Sequence, residues 1–95
     1  MSGEAVQETL SRLVEKMTTE YTQSEVDIAR ALAAADGPLS TEALAEETGY
    51  TERTIKKRVG TLEEQLHGEP LLVRDEEDNP QLHPEFAAAV RNADL

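Results

Sequence analysis

Apolar residues recur at helical spacing through most of the chain. In residues 4–21, Val6, Leu10, Leu13, Met17 and Tyr21 stand four, three, four and four apart, which predicts an amphipathic first helix. Ser24 is placed to cap a second helix, with Asp27 three residues on in the manner of a capping box. Ile28, Ala31, Leu32 and Ala35 supply that helix's stripe, and Gly37-Pro38 stops it. After an extended link at Leu39, Ser40 or Thr41 caps a short third helix reaching about Thr48, and Gly49 provides the turn because it takes a positive φ without steric cost. Thr51 caps a fourth helix to about Leu66, with Ile55, Val59, Leu62 and Leu66 on one face, and His67-Gly68 ends it. Leu71–Asp75 reads as a strand, Glu76–Pro80 as a polar turn and Gln81–His83 as a returning strand, while Pro84 opens a closing helix. The expected class is mainly α with one small β-hairpin.

Residues 41–62 carry the most informative spacing. A helix-turn-helix needs a small residue where its helices cross, a Gly or equivalent in the turn and an apolar anchor on the second helix. Ala45, Gly49 and Ile55 meet these needs within Thr41-Glu-Ala-Leu-Ala-Glu-Glu-Thr-Gly-Tyr-Thr-Glu-Arg-Thr-Ile-Lys-Lys-Arg-Val, and Leu44 and Val59 complete the repressor-type pattern. The hairpin that follows makes the expected fold a winged helix-turn-helix with an extra N-terminal helix and a C-terminal helix. Its divisions within one domain, 1–95, are an N-terminal helix at 1–22, a winged core at 24–83 and a closing helix at 84–95.

The stretch Leu62-Glu-Glu-Gln-Leu-His-Gly-Glu-Pro-Leu-Leu-Val-Arg74 resembles the end of the recognition helix and the first wing strand of LysR-type regulators. Leu82-His-Pro-Glu is similar to the Leu-Thr-Pro that leads into the linker helix of that family, and MarR-like winged helices share the plan. The resemblance spans roughly residues 24–93 and implies a DNA-binding module that works as a dimer. The 95 residues hold no counterpart of the large effector domain of LysR-type proteins, so the resemblance assigns no small-molecule effector.

Charge sharpens this picture. Nine Lys and Arg face twenty Asp and Glu, for a net charge of −11. Four of the nine basic groups, Arg53, Lys56, Lys57 and Arg58, fall within six positions, leaving five basic against twenty acidic groups elsewhere. On a helix Arg53, Lys56, Lys57 and Gly60 lie at i, i+3, i+4 and i+7, opposite the apolar face, with Arg58 on the flank. Gly60 costs about 1 kcal/mol of helix propensity, which points to a close approach by a phosphate or groove wall. Arg and Lys can make bidentate contacts with guanine edges, and Thr hydroxyls can serve bases or phosphates. Arg53, Lys56 and Lys57 are therefore the candidates for entering a major groove, helped by Thr51 and Thr54. Ser40 and Thr41, at the start of the third helix, are candidates for a backbone phosphate. The bland reading of the cluster is a solvated face that offsets neighbouring Glu.

The hairpin opposes DNA binding at low salt, because Asp75-Glu76-Glu77-Asp78 occupies its tip and leaves Arg74 as its phosphate contact. The acidic, Ala-rich, Arg-over-Lys composition resembles proteins of salt-loving archaea; an ordinary acidic protein kept soluble by its charge is the alternative. In molar salt the Debye length falls to about 3 Å and the repulsion would act only at contact. Salt also weakens counterion release, so short-range contacts would have to supply most of the affinity.

The stripe of the first helix, Val6, Leu10, Leu13, Met17 and Tyr21, is expected to form a homodimer interface, with Phe86, Ala87, Val90 and Leu95 of the closing helix as possible additions. The competing expectation is that this helix folds back on its own domain. Two recognition helices in a dimer would sit roughly 34 Å apart and match a pseudo-palindromic site. Without Cys there is no disulfide or thiolate metal site, His67 and His83 lack ligand spacing, and no catalytic constellation is evident. No cofactor, metal or enzymatic activity is expected, and neither an export signal nor a membrane span is legible, which favours the cytoplasm. The leading expectation is a dimeric, sequence-specific transcriptional regulator of double-stranded DNA. The rival is a winged helix used for protein interaction, such as an accessory factor of transcription or chromosome maintenance, with an acidic DNA mimic more remote.

Overall fold

Among the described residues, five helices and one two-stranded antiparallel sheet follow one another as α1 (Gly3–Thr19), α2 (Gln23–Ala34), α3 (Thr41–Thr48), α4 (Glu52–Gln65), β1 (Leu72–Arg74), β2 (Pro80–Leu82) and α5 (Pro84–Asn92). The structure, a computed structural model, describes residues 3–35, 37–66 and 71–93, with side chains from residue 8 onward. The Val6 side chain, His67, Gly68 and Leu95, all invoked above, lie outside the described residues.

The helix boundaries have local causes. Ser40 Oγ accepts the Ala43 N–H at 3.1 Å and so caps α3, and Thr51 Oγ1 accepts the Thr54 N–H at 3.2 Å and caps α4. Between them Gly49 sits at φ 83° and its N–H reaches Ala45 O at 2.8 Å, the left-handed stop that glycine permits. Pro84 occupies the first turn of α5, and His83 Nδ1 accepts the Glu85 N–H at 3.2 Å.

The start of α2 differs from expectation. Thr22, not Ser24, is the cap, and Glu25, not Asp27, closes the capping box. The Thr22 side chain accepts the Glu25 N–H at 3.3 Å while Glu25 Oε1 takes the Thr22 N–H and hydroxyl, each at 2.9 Å. Glutamate has the extra methylene needed to reach back to the cap nitrogen. Asp27 is engaged elsewhere, by Gln23 Nε2 at 2.9 Å and Tyr50 Oη at 2.6 Å.

α2 is the hub of the fold, packing against α3, α4, α5 and β2, while α1 lies on α5. Phe86, Met17, Ile28, Leu44, Ile55, Leu62 and Leu66 are fully buried in one continuous core. Removing side chains of this size from water is worth about 1.5–3 kcal/mol each. The stripe of α1 belongs to that core: Leu10, Val14 and Met17 are buried, and Leu13 and Tyr21 pack half-buried against it. Phe86, Ala87 and Val90 of α5 are buried in the same cluster. Leu10, Met17, Phe86, Ala87 and Val90 are thus spent within the chain and are not free to form an interface, as the dimer expectation required. Val14, absent from the expected stripe, is one of its buried members.

The hairpin pairs Leu72 with Leu82, Val73 with Gln81 and Arg74 with Pro80. Asp75 builds its turn, with Oδ1 accepting the N–H groups of Glu77 at 2.9 Å and Asn79 at 2.8 Å. β2 begins one residue earlier than the pattern indicated, at Pro80, whose carbonyl accepts the Leu39 N–H at 3.1 Å. Pro80 has no N–H to give a ladder, but its carbonyl ties the hairpin to the link that leads into α3.

Candidate nucleic-acid interface

The outer face of α4 follows from how its inner face is held. Ile55, Val59 and Leu62 are buried, and Leu66 caps the helix from within the core. Helical periodicity then turns Arg53, Lys56 and Lys57 outward, and all three are exposed. Arg58 on the flank is half-buried. Among the described residues none of these four cations is in an ion pair; the pairs present belong to Arg74. Since each lies on a surface with ample acid, the absence of pairing leaves a local positive stripe open to a ligand.

Thr51 is exposed and Thr54 half-buried at the start of α4, and their hydroxyls lie 3.0 Å apart. Thr51 is occupied as a cap, accepting the Thr54 N–H, so its side chain can meet a ligand only beside that role. Ser40 and Thr41 are half-buried at the start of α3, where Ser40 is likewise committed to capping. Ala45 packs half-buried against the core, Leu44 and Ile55 are fully buried, and Gly49 stands at positive φ between α3 and α4.

Tyr50 fixes the turn from outside. Its hydroxyl donates to Asp27 Oδ2 at 2.6 Å, joining the residue between α3 and α4 to α2. That bond, followed by burial and the charge of Asp27, raises the Tyr50 pKa above the ordinary phenol value. Tyr21 Oη donates to Gln65 O at 3.4 Å and touches the other end of α4. Burial, then Glu25 and Glu20, raises its pKa as well.

Arg74 is placed differently from its expected role. Its Nη2 lies 2.8 Å from Glu63 Oε1 and its Nη1 donates to Asp78 O at 3.2 Å, with Asp78 Oδ2 at 3.6 Å. The Glu63 hydrogen bond is the main reason its pKa is raised. The guanidinium therefore clasps the hairpin to α4, and a phosphate would have to compete with two carboxylates for it. Asp75, Glu76, Glu77 and Asp78 remain exposed at the tip. Glu63 and Asp27 were not legible as partners, because the contacts cross 11 and 23 positions and depend on packing.

His83 acts as a helix cap, and among the described residues no group of three or more His, Asp or Glu is placed to hold a metal ion. No described helix is long and apolar enough to cross a membrane. Comparison of the chain with protein-family descriptions, curated proteins and solved structures gives no significant match.

Proposed function

We propose that the protein is a winged helix-turn-helix regulator that binds double-stranded DNA through the outer face of α4. The observation that carries this reading is the exposed set Arg53, Lys56 and Lys57, without ion pairs among the described residues, on a helix whose opposite face is locked into the core. Such a helix can present side chains to a groove without reorganising, and its cations suit guanine edges and phosphates. The clasped Arg74 and acidic hairpin tip fit a protein that works in high salt, where screening shortens their repulsion to contact range. A homodimer would place two such helices on a pseudo-palindromic site. With Leu10 and Met17 consumed by the core, its interface would draw on surface other than the apolar stripe of α1.

The acidic tip supports a second reading, in which the hairpin contacts a basic partner protein and the chain acts as an accessory factor. Fluorescence anisotropy of labelled duplex pools, followed from low to molar potassium chloride, separates the two. Sequence-selective binding supports the regulator, and its absence at every salt concentration removes it.

A further inference from the structure

Gly60 is the one glycine of α4, and nothing among the described residues calls for it. The helix runs unbroken from Glu52 to Gln65, so Gly60 is neither a cap nor a break. Among the described glycines only Gly49 has a positive φ, so no backbone strain selects glycine at position 60. Gly60 is half-buried, and beyond its own stretch of helix a Cβ built there meets no described atom within 4 Å, so no described neighbouring element needs the space. An interior helical glycine is nevertheless among the least favourable choices, and alanine would fit the free protein better.

The remaining cause is an external body that comes closer to the backbone than a side chain permits. Its place on the surface indicates what that body is. Gly60 follows Lys56 and Lys57 by four and three residues and therefore shares their face, while Glu64, exposed one turn further on, ends the positive stripe. A polyanion lying along Arg53, Lys56 and Lys57 reaches Gly60 last before meeting that acid.

We infer that the sugar–phosphate backbone of duplex DNA crosses α4 at Gly60 in van der Waals contact with its main chain. This rests on the DNA-binding reading of the same face and adds to it the point where the groove wall passes. The role is steric: Gly60 supplies no charge or hydrogen-bonding side chain, only room.

The test compares Gly60→Ala and Gly60→Leu with the wild-type chain by thermal melting and by anisotropy on a labelled duplex selected from a random-sequence pool. Gly60→Ala is expected to raise Tm by roughly 4–8 °C while weakening DNA binding about tenfold, with Gly60→Leu weaker still. Opposite movement of stability and affinity is a result that damage to the fold does not produce. If both variants bind the duplex as tightly as wild type, the contact at Gly60 is wrong and the DNA reading stands. A fall in Tm for Gly60→Ala would also overturn it, since glycine would then serve the fold. Wild-type protein that selects no duplex at any salt concentration removes the DNA reading itself.

Discussion

The Arg74 guanidinium lies 2.8 Å from the Glu63 carboxylate and fastens the hairpin to the helix that carries the exposed cations. The pair is partly exposed, so its loss should cost about 1 kcal/mol of stability or less. Its effect on binding should be larger and of opposite sign. Glu63→Gln removes an acid beside the positive face and loosens Arg74, which Asp78 still holds, so affinity for duplex DNA at low salt should rise. Anisotropy titration checks this, and unchanged or weaker binding would show that the clasp, not the free guanidinium, serves the interface.

Tyr50 and Asp27 make a pH-dependent tie. The Tyr50 pKa is raised in the folded chain, so the hydrogen bond contributes fully below the unfolded phenol value of about 10 and is lost as pH rises through the higher folded value. Stability should therefore be insensitive to this group near neutrality and fall at alkaline pH. Tyr50→Phe should lower Tm at neutral pH and flatten its alkaline decline. Thermal melts from pH 7 to about 11, alongside tyrosinate absorbance, measure both.

The first helix is a structural part of the domain, and its substitutions should behave accordingly. Met17→Ala leaves a cavity in the core and should cost about 2–5 kcal/mol. Because Met17 is fully buried within one chain, the loss should not depend on protein concentration. Denaturation at several concentrations checks it; a loss that vanishes at high concentration would return Met17 to an interface.

The capping box gives a sharp local test. Thr22→Ala should destabilise by about 1 kcal/mol, whereas Ser24→Ala, inside the first turn of α2, should have little effect. Urea denaturation of the two variants distinguishes them.

Those same residues show why parts of the chain could be read in advance. Gly49, Thr51 and Ser40 act on atoms within four positions, so the turn and both of its helices were legible from local chemistry. The start of α2 was misplaced because Thr22 and Ser24 have similar capping chemistry and only the reach of Glu25 decides between them. Amphipathic spacing showed that α1 buries a face but carried no information about whether its partner lay in the same chain. The cations of α4 were identifiable because their exposure follows from the opposite apolar face. Arg74 was not, since its partners Glu63 and Asp78 meet it only when the hairpin folds onto α4.

The central claim is that the positive face of α4 binds DNA. Arg53→Ala and Lys56→Ala should each weaken binding to a selected duplex by about 1–3 kcal/mol while leaving Tm nearly unchanged, because both side chains are exposed and form no ion pair among the described residues. The decisive measurement is anisotropy of these two variants and the wild-type chain on that duplex at molar potassium chloride. Sequence-selective wild-type binding that both substitutions reduce is the result expected; binding that both leave unchanged would contradict it.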